Sequence, residues 1–190
     1  MIERTLVLLK PDAIQRGLSG EILLRLERAG LKIIGMKMLK ASEDVAKKHY
    51  SDKLIPIVGA KTKKDWDAAG VKSDQTIEQI GTTIVASLRK MLMNHALVAV
   101  CLEGVSAVEN VRKIVGPTGC KDAAPGTIRG DFGHCSLGYA SIRKKNIANL
   151  IHASGNKEEA DFEVKLWFTQ EELFTYKSVH EDYTMHMIDW

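Results

Sequence analysis

RTLVLLKPDAIQRGLSGEIL, residues 4–23, is the stretch from which the fold can be read outward. Thr5-Leu6-Val7-Leu8-Leu9 is a short, continuous apolar run closed by Lys10-Pro11-Asp12. That pattern predicts a buried central strand ending at a turn. Over residues 18–29, Leu18, Ile22, Leu23 and Leu26 then recur on one helical face, with Gly30 where a helix-ending glycine belongs. The chain therefore opens as strand, turn and amphipathic helix.

The same pattern repeats downstream. Leu31–Leu39 reads as a second strand, with Gly35 as a candidate bulge. Residues 43–50 read as a helix capped by Ser42. The lysine- and aspartate-rich region 53–74 reads as loop or broken helix. Ile77, Ile80, Ile84, Leu88 and Met91 then form an amphipathic stripe. Ala96–Leu102 is a further buried strand, 105–115 a helix, and the glycine- and proline-rich 116–133 largely loop. A strand reaching His152, a helix over about 157–166, a helical turn at Thr169–Phe174 and a polar-aromatic tail complete the chain. Strands separated by helices imply a sheet layered with helices.

Composition limits the function classes. A length of 190 residues suits one domain, here 1–190, with a sizeable core. A net charge of +3 permits a small basic patch but gives no general case for nucleic acid. Cys101, Cys120 and Cys135 are scattered, without a C-x-x-C pair, which points to a reducing compartment. The first strand begins too near Met1 for a signal peptide, and no apolar stretch nears the ~20 residues that span a bilayer. A cytoplasmic protein without a membrane segment is expected.

Two segments carry the candidate chemistry: NLIHAS at 149–154 and APGTIRGDF at 124–132. A histidine taken at random is most often a hydrogen-bonded core or surface residue. His152 stands apart because it closes an apolar run and precedes small residues, while Glu163 lies on a helix able to turn back toward it. A carboxylate on one ring nitrogen fixes the tautomer and frees the other nitrogen to attack. Lys10, Arg112, Thr118 and Arg129 lie at element ends or in loops, where cations and donors can converge on phosphate oxygens. Each alone reads as an ordinary surface group. Neither G-x-x-x-x-G-K-[ST] nor G-x-G-x-x-G occurs, and Cys120, His134, Cys135 and His152 match no standard zinc spacing.

Taken together, the opening RTLVLLKPDAIQRGLSGEIL, the loop AAPGTIRGDF at 123–132, NLIHAS, LWF at 166–168 and EEL at 171–173 resemble the nucleoside diphosphate kinase family over nearly the whole chain. The resemblance implies an α/β sandwich, a ferredoxin-like four-stranded antiparallel sheet with helices. It implies a ping-pong reaction in which a nucleoside triphosphate such as ATP phosphorylates His152 and a second nucleoside diphosphate takes the phosphoryl group. By the same resemblance Lys10 would bind the γ-phosphate, and Tyr50 would sit beside His152. Arg112 and Thr118 would hold the terminal phosphates, and Arg129 the phosphate being moved. Asn149 would face the ribose, while Ser154 and Glu163 would orient the histidine. Mg2+ would arrive on the nucleotide phosphates, without a metal site made by the protein. The family forms homo-oligomers, hexamers or tetramers built from dimers, and the tail at 174–190, with Tyr176, Tyr183 and Trp190, is a candidate to reach across an interface.

The chain departs from the family pattern in places. Ile57 or Val58 stands where an aromatic residue usually stacks on the base, and Ala153 and Gly155 follow the histidine and serine. Two insertions, about 59–94 and 133–148, flank the expected cleft. The second carries Arg143-Lys144-Lys145, too short a run for a nucleic-acid patch and better read as a solvated loop. A regulatory protein with its cleft closed by the insertions, or a nucleic-acid binder using the basic loop, are the alternatives to a kinase.

Overall fold

In the computed structural model, which describes residues 2–143 and 145–185, the opening run lies within β1 (Ile2–Leu9). Leu6 and Leu8 join one buried cluster, and Val7 and Leu9 another. The strand is thus covered on both faces, which is why its sequence shows no alternation of apolar and polar residues. α1 (Pro11–Gln15) follows, with proline at its first position, where the missing N–H has no partner to lose. α2 (Ser19–Arg28) buries Ile22 and Leu26, and Gly30 past its end takes a φ of +87°. β2 (Lys32–Leu39) carries the register irregularity expected at Gly35. α3 (Glu43–His49) starts at Ser42, whose hydroxyl accepts the Val45 N–H.

α4 (Ile55–Ala68) and α5 (Ile77–Asn94) precede β3 (Leu97–Val105) and α6 (Ala107–Val115). The short α7 (Ile128–Phe132) and α8 (Leu137–Ile142) lead to β4 (Ile151–Ala153), followed by α9 (Lys157–Trp167) and α10 (Glu181–Thr184). All strand pairs are antiparallel, in the order β2-β3-β1-β4. This is the ferredoxin-like sandwich that the resemblance implied. The core on one face combines Leu6, Leu8 and Ile34 with Val85, Leu92 and Trp167 from α5 and α9. On the other, Val7, Val100 and Leu102 meet Ile22, Leu26 and Val111 from α2 and α6.

The region 53–74 departs from the expectation of loop or broken helix, since α4 occupies most of it. Lys61, Lys64 and Asp67 belong to its wet side, while Gly59, Thr62 and Trp66, spaced three and four apart, bury the other side. Two glycines allow α4 and α5 to cross closely: a β-carbon at Gly59 would strike the Ile77 carbonyl, and one at Gly81 the Ile55 carbonyl. Gly81→Ala is therefore expected to force the helices apart and lower stability by about 1–3 kcal/mol, read as a lower urea midpoint. An unchanged midpoint would refute that crossing.

The other loop expectations largely hold. Residues 116–133 are irregular apart from a single 3-10 turn, Cys120–Asp122, and α7. Past α9, Phe174 N–H donates to the Ile34 carbonyl and the Tyr176 hydroxyl to the Ile33 carbonyl, each at 2.7 Å. This part of the tail packs on its own β2. Lys144 and Trp190 lie outside the described residues.

Candidate active site

β4 is three residues long, and its pairing with β1 sets His152 opposite Leu8. The residue two positions before His152, Leu150, has a left-handed backbone with φ of +70°. That conformation costs a leucine roughly 1–2 kcal/mol. It is held from both sides: Asp12 Oδ2 accepts the Leu150 N–H at 2.9 Å, and the Lys10 N–H donates to the Leu150 carbonyl at 2.8 Å. The Lys-Pro-Asp turn thus aims the histidine segment. Asp12 was not among the expected site residues.

His152 Nε2 lies 3.0 Å from both carboxylate oxygens of Glu163, and the Ser154 hydroxyl donates to Oε2 at 2.6 Å. With the ring proton on Nε2 facing the carboxylate, Nδ1 keeps its lone pair. The ring is partly exposed and borders the main cleft. Burial alone would push the Glu163 carboxyl up, but the His152 ring and the Ser154 hydroxyl hold it down at about 2. Glu163 is therefore a carboxylate at any working pH.

Behind this pair stands His49, the residue before Tyr50. Its Nδ1 accepts the Trp167 indole N–H at 3.2 Å and lies 3.3 Å from Glu163 Oε1. Its ring is edge-on to His152, with centroids 4.5 Å apart. Burial, reinforced by His152, lowers its pKa to about 3, so it stays neutral. Its Nε2 is buried without a partner. Donor atoms of His49, His152 and Glu163 lie within 4.8 Å of one another, a spacing that a metal ion could bridge. Within that group Glu163 engages His152 Nε2, while His49 Nδ1 takes the Trp167 N–H.

The cationic end is equally built. Lys10 is buried, and its ammonium donates to Asn149 Oδ1 at 2.7 Å, while Asn149 Nδ2 donates to the Thr118 carbonyl at 2.9 Å. Burial, with Arg129 nearby, brings the Lys10 pKa down to about 8. Arg129 is also buried, and its Nε, Nη1 and Nη2 donate to the carbonyls of Asn149 (3.2 Å), Gly116 (2.8 Å) and Ile151 (2.6 Å). Three of a guanidinium's five N–H groups are thereby used, and two remain for a ligand. Burial lowers even this group, to about 10. Arg112, in the last turn of α6, and Thr118 are exposed at the cleft rim. Tyr50 is buried beside His49 at 4.6 Å and stands 6.5 Å from the His152 ring. Its hydroxyl, pushed up by burial, stays protonated.

The structure thus gathers Lys10, Tyr50, Arg112, Thr118, Arg129, Asn149, His152 and Glu163 around one cleft of about 900 Å³. Ser154 is fully buried behind Glu163. Asn149 commits one oxygen lone pair to Lys10 and one amide N–H to the Thr118 carbonyl, which leaves one of each. Of the two candidates for the apolar shelf, only Val58 borders the cleft. Ile57, the other candidate, is 51% exposed and does not form the shelf: neighbours on a helix point about 100° apart, so α4 turns one inward and the other to solvent. Trp66 from α4 and Leu137 from α8 extend the wall that Val58 begins. Asp65 ties that wall together, accepting the Gly138 N–H at 2.5 Å and the Lys121 ammonium at 2.8 Å.

A family model described as nucleoside diphosphate kinase matches residues 3–55 and 76–173, passing over most of α4 and the loop after it. The nucleoside diphosphate kinase of Pyrococcus horikoshii is 45% identical over 174 residues, covering 92% of this chain and 90% of the relative. Among solved structures, an NDP kinase from Pyrobaculum aerophilum matches with a TM-score of 0.85 at 38% identity, covering 92% of this chain and 100% of that one. A transition-state mimic of the Borrelia burgdorferi nucleoside-diphosphate kinase, with bound vanadate and ADP, matches with a TM-score of 0.81 at 35% identity, covering 97% and 98%.

Proposed function

The chain belongs to the nucleoside diphosphate kinase family, whose members are phosphotransferases, and we propose that its reaction runs through a phosphohistidine at His152. One observation carries this reading: Glu163 holds His152 by Nε2, which leaves the Nδ1 lone pair on a ring that lines the same cleft as Lys10, Arg112 and Arg129. Nδ1 attacks the terminal phosphorus of a nucleoside triphosphate, and the bond to the bridging oxygen breaks as the diphosphate leaves. Glu163 stabilises the positive charge that grows on the ring. Lys10, Arg112 and Arg129 meet the charge spread over the phosphoryl oxygens. A second nucleoside diphosphate reverses the steps. ADP with vanadate in the Borrelia relative is the kind of ligand such a cleft would take.

Magnesium fits as a passenger. The carboxylates among the described residues of the cleft are Glu159 and Glu163, and both are engaged, with the Gly155 N–H and with His152. No oxygen cage is left for the ion, so it would enter on the nucleotide phosphates and neutralise their charge there.

The cleft volume is ample for a mononucleotide, which favours a catalyst over a regulatory protein with a closed site. We read α4 as an addition that extends its wall within a single domain, while α5 and α8 fall inside the matched residues 76–173. No helix among the described residues is long and apolar enough to cross a membrane. Three free cysteines suit the cytoplasm. Met36 and Met38 stand 56% and 64% exposed on the edge strand β2, as a self-associating edge would present them, which supports a homo-oligomer.

Incubation with γ-labelled ATP tests the reaction. An acid-labile, alkali-stable label on His152 that passes to an added diphosphate is expected, and no label on the wild-type protein would sink the reading. A second expectation concerns pH. Lys10 titrates near 8 in the free protein, and a bound polyphosphate would hold it charged. Diphosphate binding at pH about 9 should then take up a proton, visible as a binding heat that varies with the buffer's ionisation enthalpy. At pH about 6.5, where Lys10 is already protonated, its uptake should vanish. Equal buffer dependence at both pH values, or in Lys10→Met, would remove Lys10 from phosphate binding.

A further inference from the structure

Two cysteines are joined through their backbones beside the cleft-lining residues Thr118 and Leu137, and phosphoryl transfer uses neither. Cys120 begins the 3-10 turn after Thr118, and Cys135 stands just before the cap of α8. The Cys120 N–H donates to the Cys135 carbonyl at 3.0 Å. Bond lengths then limit the separation of the two α-carbons. Adding about 1.5 Å from nitrogen to its α-carbon and about 2.4 Å from the carbonyl oxygen to its own gives roughly 7 Å at most. Disulfides join α-carbons about 4.4–6.8 Å apart.

Neither sulfur is committed elsewhere. Cys120 Sγ has a long 3.8 Å contact with the Ala148 carbonyl, and Cys135 Sγ lies 3.5 Å from the carbonyl of its own neighbour, Ser136. The metal-sized cluster found among the described residues is the His49, His152 and Glu163 group, so no third ligand joins the two cysteines there. Their surroundings differ. Cys120 is buried, its sulfur packed so closely on Gly133 that a β-carbon there would collide with it, whereas Cys135 is partly open to solvent. That asymmetry suits an outer thiol that reacts first and an inner thiol that resolves it.

We propose that Cys120 and Cys135 are a peroxide-oxidised dithiol pair whose disulfide alters nucleotide binding in the adjoining cleft. The Cys135 thiolate attacks one oxygen of hydrogen peroxide; the O–O bond breaks, the departing hydroxide takes up the proton the thiol had released and leaves as water, and Cys135 becomes a sulfenic acid. The Cys120 sulfur then attacks the sulfenic sulfur, the S–S bond forms, and the hydroxyl departs with the Cys120 proton as a second water. The pair loses two electrons to each peroxide. The bridge would tie the loop of Thr118, whose carbonyl Asn149 holds, to the start of α8, whose Leu137 borders the same cleft. The effect on binding rests on the cleft being a nucleotide site; the thiol chemistry does not.

The test treats reduced, full-length protein with equimolar hydrogen peroxide, then counts thiols under denaturing conditions, measures intact mass, and titrates ADP by calorimetry. Free thiols should fall from three to one. The mass should drop by two hydrogens without dimers, the ADP dissociation constant should shift severalfold, and dithiothreitol should reverse all of it. Cys135→Ser should form no bridge and keep its ADP affinity under peroxide, while Cys101→Ser should respond as wild type. An unchanged thiol count, a sulfinic acid at Cys135, cross-linked dimers, or a fully bridged monomer with unaltered ADP affinity would overturn the proposal. Failure of ADP to bind even the reduced protein would instead strike the kinase reading, which the thiol count does not depend on.

Discussion

His152→Asn is expected to lower kcat for phosphoryl transfer by roughly 10⁵-fold or more, the scale seen when an enzyme loses its nucleophile. The amide is too poor a nucleophile to form the intermediate, and a direct transfer would need two nucleotides in line within one cleft. ADP binding should persist within a small factor, because Lys10, Arg112 and Arg129 do not depend on the imidazole. The measurement is a coupled assay alongside equilibrium ADP binding. Retention of even a hundredth of the wild-type kcat would show that the phosphoryl group travels another way.

Arg129→Ala should produce the largest loss of stability among the site variants. Its guanidinium fastens the Gly116 loop to the carbonyls on both sides of Leu150, so one side chain joins two segments of the cleft. Hydrogen bonds from charged donors contribute about 1.5–3 kcal/mol each, and buried carbonyls left bare cost a similar amount. Because water from the cleft can reach some of them, the net loss should be about 3–5 kcal/mol. For a chain of this size that lowers Tm by roughly 10 °C. Arg129→Lys keeps the charge but lacks a planar fork able to reach three diverging carbonyls, so it should recover little of the loss. A melting point for Arg129→Ala within about 2 °C of wild type would show that the phosphate role is its only one.

Most of the framework was legible because the sequence and the structure obey the same local rules. The apolar run at Thr5–Leu9, the cap at Ser42, Gly30 at a helix end and the irregularity at Gly35 each follow from the residue present. The sheet order was not legible in this way; it came from resemblance, because pairing between β1 and β4 is set by chain contacts far apart in sequence. α4 was missed because its charges were weighed as a composition, whereas Gly59, Thr62 and Trp66 make sense only once α5 lies against them. In the site, His152 and Glu163 could be paired from spacing. His49 could not: nothing local signals that Trp167 will reach its Nδ1 from α9. Asp12 was hidden in the same way, since its partner is a backbone N–H near the opposite end of the chain. Ile57 and Val58 were indistinguishable until the phase of α4 was known.

The short β4 has a consequence for biosynthesis. The Lys10 ammonium meets Asn149 across 139 residues, and the Leu6 N–H meets the Ser154 hydroxyl across 148. A chain emerging from the ribosome must therefore hold its first strand ready, sheltered by β3 alone, until the histidine segment arrives to close the sheet's other edge. Closing so long a loop comes late and slowly. Fragments that stop before α9 would lack Glu163 as well as the last layer over Leu6 and Leu8. Phosphotransfer should thus switch on only once α9 has been made, so that shorter nascent chains never draw on the cell's triphosphates.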